Sequence, residues 1–94
     1  FVLNIDCLNM FNGYRGEVLD LSKLNTSRVV NMGAMFQNCY NLKQIDLSSF
    51  DTSNVKYMYA MFLGCTNLES VDFSSFNTIN VTEMQYMFYY SYPI

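Results

Sequence analysis

Residues 45–70 read IDLSSFDTSNVKYMYAMFLGCTNLES, and the 26 residues before them, 19–44, read LDLSKLNTSRVVNMGAMFQNCYNLKQ. The next stretch, VDFSSFNTINVTEMQYMFYYSYPI at 71–94, keeps the same register until the chain stops. A 26-residue period therefore organises most of the 94 residues. Residues 1–18 hold a degenerate copy marked by Met10-Phe11, one residue out of register, with Cys7 where the earlier Met would stand. The chain reads as one repeat array of four units, 1–18, 19–44, 45–70 and a truncated 71–94. Because it opens and closes inside repeats, it is expected to be part of a longer protein.

Each unit has two halves of different hydrophobic period. In LKQIDLSSF, Leu42, Ile45, Leu47 and Phe50 are apolar, and the two-residue step from Ile45 to Leu47 is that of a strand. This LxxLxL spacing is the core of a leucine-rich repeat. In the second half, Val55, Met58, Met61, Phe62 and Cys65 follow steps of three, three, one and three, which predicts one face of a short α or 3₁₀ helix. Thr52, Ser53 and Asn54 precede it with oxygens suited to cap a helix start. A single unit cannot enclose these faces, so neighbouring units must share a core. The expected architecture is an α/β leucine-rich-repeat solenoid, with one short parallel strand and one short helix per coil.

The units LDLSKLNTSRVVNMGAMFQNC and IDLSSFDTSNVKYMYAMFLGC closely resemble the repeat of BspA-like leucine-rich repeat surface proteins, a bacterial group whose units read approximately LDLSxFDTSNVTxMxxMFxxC. The resemblance runs from Leu19 to about Phe88. It departs at Lys23-Leu24, at Ile79 and at Tyr90-Ser91. It implies a surface-exposed or secreted solenoid used for adhesion or protein binding, without catalysis of its own. It also implies that Asn25, Asp51 and Asn77, just after each strand, hydrogen-bond backbone groups of neighbouring coils.

Composition narrows the function classes. Half the residues are hydrophobic (51%) and 17% are aromatic, which supplies a core generously; no apolar run approaches the roughly 18 residues of a membrane span. A net charge of −3 from 14% charged residues offers no basic patch for phosphates, arguing against nucleic acid. There is no His, the commonest general base, and no glycine-rich phosphate loop. No enzyme, cofactor or metal role is expected.

The soft residues have bland explanations. The Met pairs 32/35, 58/61 and 84/87 offer thioethers that suit Cu(I), but each is interleaved with Val, Ala, Phe and Cys, the pattern of a packed core. Cys39 and Cys65 are equivalent positions. A disulfide needs Cα atoms about 4.4–6.8 Å apart; these thiols follow the helix, where spacing is wider, and Ser91 takes the next position, so they read as buried small side chains. Cys7, at a Met position, reads as core-facing too.

Recognition is therefore expected at quieter positions. Between the inward residues of successive strands stand Asp20 and Ser22, then Gln44, Asp46 and Ser48, then Ser70, Asp72 and Ser74, a polar and slightly acidic strip facing outward. Stacked at about 5 Å, the three carboxylates repel by about 1 kcal/mol in water. That calls for hydroxyl contacts, a cation or a basic partner. Tyr57, Tyr59 and Tyr86 are the candidate aromatic contacts, since Tyr is enriched at protein interfaces; Tyr40, Tyr89, Tyr90 and Tyr92 also fall outside the core register. The apolar end FYYSYPI, 88–94, could drive end-to-end self-association. The expected partner is a host or bacterial surface protein, with a glycan less well suited. The alternative is a structural spacer that presents another domain and has no ligand of its own.

Overall fold

Backbone hydrogen bonds join each unit to the next in two parallel columns. In the first, β1 (Val18–Asp20) pairs with β2 (Gln44–Asp46) in the register Val18↔Gln44, Leu19↔Ile45, Asp20↔Asp46, and a single parallel bridge, Gln44↔Ser70, continues it. The second runs Asp6↔Asn31↔Tyr57↔Glu83 as isolated parallel bridges. The computed structural model describes residues 2–91. Among these, the two three-residue strands are the only regular elements and turn or coil makes up the rest.

The expected α/β leucine-rich-repeat solenoid is thus overturned. No helix occurs among the described residues, the strands are two rather than one per unit, and the extents of 29 × 27 × 22 Å are those of a compact body. Hydrogen-bond direction explains the missing helix. An α-helix needs successive N–H groups to donate four residues back. Here the alternate N–H groups of Met32, Ala34, Phe36 and Asn38 donate sideways to Tyr57, Tyr59, Met61 and Leu63 carbonyls at 2.8, 2.8, 2.9 and 2.7 Å. The groups between them, on Met35 and Gln37, close tight turns onto Met32 and Ala34 at 3.3 and 3.2 Å. Met58, Ala60, Phe62 and Gly64 repeat the sideways set onto the Glu83, Gln85, Met87 and Tyr89 carbonyls, at 2.9, 2.9, 2.9 and 2.8 Å.

Left-handed residues make this alternation possible. Ala34 (φ 52°), Ala60 (φ 54°) and Tyr86 (φ 61°) recur at one position of the unit, and Asn38 (φ 60°), Gly64 (φ 79°) and Tyr90 (φ 60°) at another. Each non-glycine case costs about 1–2 kcal/mol against the right-handed conformation. The cost is tolerated because the kinks aim the intervening N–H groups at the next unit, where unpaired buried amides would cost more.

The core positions follow the sequence pattern although the element does not. Val29, Met32, Met35, Phe36 and Cys39, and their counterparts Val55, Met58, Met61, Phe62 and Cys65, are fully buried. Phe11, Phe36, Phe62 and Phe88 form one stack with centroid separations of 5.6, 5.2 and 5.8 Å. In the unit from 71 on, Met84 is 43% and Phe88 41% exposed, where Met58 and Phe62 are 0%. Cys7, Cys39 and Cys65 are free and buried. Tyr92 and the rest of the apolar tail, 92–94, lie outside the described residues. Among the described residues no helix is long and apolar enough to cross a membrane.

Candidate functional site

The first column places Asp20, Asp46 and Asp72 on one exposed face, as the two-residue alternation requires. Each carboxylate Oδ1 accepts a hydrogen bond from the backbone N–H two residues on: Ser22 at 2.9 Å, Ser48 at 2.9 Å and Ser74 at 2.8 Å. These are Asx turns, which bend the chain out of the strand. The same contacts make the stacked charges bearable. Hydrogen bonds from the Ser22 side chain and amide hold the Asp20 carboxyl below its ordinary range, and those from the Ser74 amide and side chain do the same for Asp72. Both donors favour the charged form. At all three positions the backbone N–H two residues on is the donor that meets the carboxylate.

A surface groove of about 550 Å³ opens over this face. It brings together Asp20, Gln44, Asp46, Ser48 and Asp72, over a floor that includes Leu19 and Ile45. Ser22, Ser70 and Ser74 do not line it. Ser74 serves the Asp72 turn, and the Ser70 backbone bridges to Gln44. The aromatic candidates stand elsewhere. Tyr57 belongs to the second column, bridged to Asn31 and Glu83, and its side chain is half-buried. The Tyr59 ring lies so close to Gly33 that a Cβ there would meet it at 2.7 Å, so the missing side chain at 33 makes room for the ring. Tyr86 is 63% exposed on the last unit and meets Tyr89 edge to face at 5.6 Å.

The post-strand ladder works differently from the family-based expectation. Asn25, Asp51 and Asn77 accept from Ser27, Ser53 and Ile79 N–H within their own units, at 3.0, 3.0 and 3.1 Å. The bridging between units belongs to the neighbouring Thr. Thr26 Oγ1 donates to the Asp51 carbonyl at 3.0 Å and accepts from the Asp51 N–H at 2.8 Å; Thr52 repeats this on Asn77 at 2.9 and 2.7 Å. A second ladder is made by side-chain amides, with Asn54 Nδ2 donating to the Ser27 carbonyl and Asn80 Nδ2 to the Ser53 carbonyl. The sequence signal was the strict recurrence of Thr after each Asn or Asp.

What the site offers chemically is an acidic, hydrogen-bonding surface. Among the described residues, no group of three or more His, Cys, Asp or Glu is placed to hold a metal ion. Stacked 26-residue units with an Asx turn after each strand position define the class of the chain. It belongs to the family described as Mycoplasma protein of unknown function, DUF285, whose model matches residues 5–93. No curated protein and no solved structure matches it.

Proposed function

We propose that this chain is a non-catalytic protein-binding or adhesion module of a BspA-like bacterial surface protein, displayed at the cell surface or secreted, and that it takes its partner on the Asp20–Asp46–Asp72 face. The observation that carries this reading is the groove of about 550 Å³ lined by the carboxylates of Asp20, Asp46 and Asp72 together with apolar Leu19, Ile45 and Leu47. Such a surface suits an extended protein segment bearing Lys or Arg: the cations meet the carboxylates and apolar side chains meet Leu19 and Ile45. Steering by like charges in a groove favours the approach of a basic partner.

A second reading has one observation of its own. All three carboxylates are already engaged in turns, as they would be in a spacer that presents another domain. Exchanging each Asp for Asn separates the two, because the amide oxygen can still accept the turn hydrogen bond while the charge is gone. The experiment titrates the ¹⁵N-labelled chain with an oligolysine peptide. Shifts confined to Val18–Asp20, Gln44–Ser48 and the neighbourhood of Asp72, and lost in the folded Asp20→Asn/Asp46→Asn/Asp72→Asn variant, support the binding reading. Shifts elsewhere, or equal shifts in the variant, reject it.

A further inference from the structure

We infer that the flank of the stack beside Arg15 binds an oligosaccharide that carries a carboxylate, of the hexuronic-acid class, at a site separate from the Asp20–Asp46–Asp72 face. Two adjoining hollows of about 420 and 490 Å³ open there, and Arg15 and Asn41 belong to both. Arg15, Asn41 and Asn67 come one from each of three successive units, so the site runs along the side of the stack. Contacts between units fix its shape. Asn41 Nδ2 donates to the Arg15 carbonyl at 3.1 Å, and Asn67 Nδ2 to the Tyr40 carbonyl at 2.6 Å. Each amide is thereby pinned, while its Oδ1 takes no donor among the described residues. Tyr14 is held as well: its hydroxyl donates to the Val18 carbonyl at 3.0 Å, and its ring packs over Gly16.

The groups left over point to the ligand. Lys43 pairs with Glu17 at 3.2 Å, and among the described residues Arg15 has no carboxylate partner. One cation therefore remains, on the side chain whose planar fork takes a carboxylate through two parallel hydrogen bonds. The Oδ1 atoms of Asn41 and Asn67 are acceptors for hydroxyl donors. Tyr40, 55% exposed, offers a flat apolar face on which the C–H side of a sugar ring can lie. A hexuronic acid carries all three complements on one ring. Composition favours it over an acidic peptide: no aliphatic side chain lines either hollow, whereas protein interfaces have an apolar core. The Asp face is the reverse, with Leu19, Ile45 and Leu47 and no aromatic ring. This inference does not rest on that face.

Titration of the ¹⁵N-labelled chain with a tetrasaccharide of alternating glucuronic acid and N-acetylglucosamine tests it. Shifts are expected at Arg15, Tyr40, Asn41 and Asn67 and not at Asp46–Ser48, with a dissociation constant below about 5 mM. Arg15→Gln and Tyr40→Ala change exposed side chains, so their melting should match wild type. Affinity should fall roughly tenfold in Arg15→Gln and roughly threefold in Tyr40→Ala. The same tetrasaccharide with its carboxyls reduced to alcohols should bind wild type more weakly by the Arg15→Gln factor and lose nothing further on that variant. The Asp20→Asn/Asp46→Asn/Asp72→Asn variant should bind the sugar at least as tightly as wild type, which keeps this result apart from the oligolysine one. Three outcomes would overturn the proposal: no shifts up to about 20 mM sugar, an Arg15→Gln variant as tight as wild type, or the same shifts produced as readily by an N-acetylated tetraglutamate amide.

Discussion

Thr52→Val tests whether the hydroxyl ladder, rather than the Asn/Asp ladder, joins the units. Valine keeps the shape of the side chain and removes only its hydroxyl, which is fully buried and holds both the carbonyl and the N–H of Asn77, at 2.9 and 2.7 Å. Two hydrogen bonds at a net value of about 0.5–1.5 kcal/mol each set a range of about 1–3 kcal/mol. Asn77 is itself exposed, so water takes up part of the loss, and about 1–2 kcal/mol is expected. For a chain of this size that lowers the melting temperature by roughly 5–15 °C. Urea unfolding of dilute protein reads the same quantity from the midpoint at constant slope. Two controls sharpen the result. Thr52→Ser keeps the hydroxyl and loses one methyl group, at a cost of about 0.8 kcal/mol. Thr78 occupies the same position in the last unit but is exposed, so Thr78→Val should change stability by less than about 0.5 kcal/mol. A Thr52→Val variant within about 0.3 kcal/mol of wild type, or a Thr78→Val variant equally damaged, would refute the ladder.

Gly64→Ala places a Cβ on a left-handed residue (φ 79°) and 2.6 Å from Asn38 Oδ1; a loss of about 1–2 kcal/mol is expected in thermal melts. Cys65→Ser retains a donor to the Phe36 carbonyl, now at 3.1 Å, whereas Cys65→Ala leaves that carbonyl unpaired, so the alanine variant should be the less stable by about 1 kcal/mol in urea. The carboxyls of Asp20, Asp51 and Asp72 are held below their ordinary value of 3.8 by hydrogen bonds from Ser22, Ser53 and Ser74. Their contribution is therefore complete above that value and lost as pH falls through the lower folded-state values. The urea midpoint should be flat from neutrality to about pH 5 and drop below about pH 4, and the drop should flatten in Asp20→Asn/Asp51→Asn/Asp72→Asn.

The core and the outward Asp face were legible in the sequence, and the element between them was not. Steps of three and one across Val55, Met58, Met61, Phe62 and Cys65 bring those side chains to one side whether the backbone coils as a helix or kinks at left-handed residues. Periodicity alone could not separate the two. A backbone signal did exist. Asn9 and Gly13 in the first unit, and Asn38 and Gly64 later, are residues that tolerate φ > 0, and all four adopt it. Ala34 and Ala60 mask it, since nothing in an alanine announces a left-handed residue. The groove was legible only in part. Period-two alternation put Asp20, Asp46 and Asp72 on one face, but the recurring Asp-x-Ser spacing that makes each an Asx turn is a local hydrogen-bonding signal that a reading of charge alone passes over.

The thiol ladder shows how one backbone need is met by different chemistry along the stack. Cys39 Sγ donates to the Phe11 carbonyl at 3.3 Å and Cys65 Sγ to the Phe36 carbonyl at 3.1 Å; Ser91 Oγ, at the next equivalent position, donates to the Phe62 carbonyl. The Phe11 and Phe62 carbonyls also accept from the Tyr14 and Cys65 amides, at 3.0 and 3.2 Å, whereas the Phe36 carbonyl takes no backbone N–H among the described residues and depends on the Cys65 thiol; a buried acceptor left unpaired is costly. Each side-chain donor stands three positions after the Phe of its own unit, reaches the Phe carbonyl of the unit before, and also fills space. In the inner units sulfur does both, being larger than a hydroxyl oxygen and weakly donating. Hydrogen bonding to Cys39 and burial push the Cys65 thiol up, which keeps it protonated and able to donate. At the next equivalent position the buried Ser91 hydroxyl, a stronger donor than a thiol, takes the same role on the Phe62 carbonyl. Ser in place of Cys there keeps a side-chain donor to the Phe carbonyl of the preceding unit.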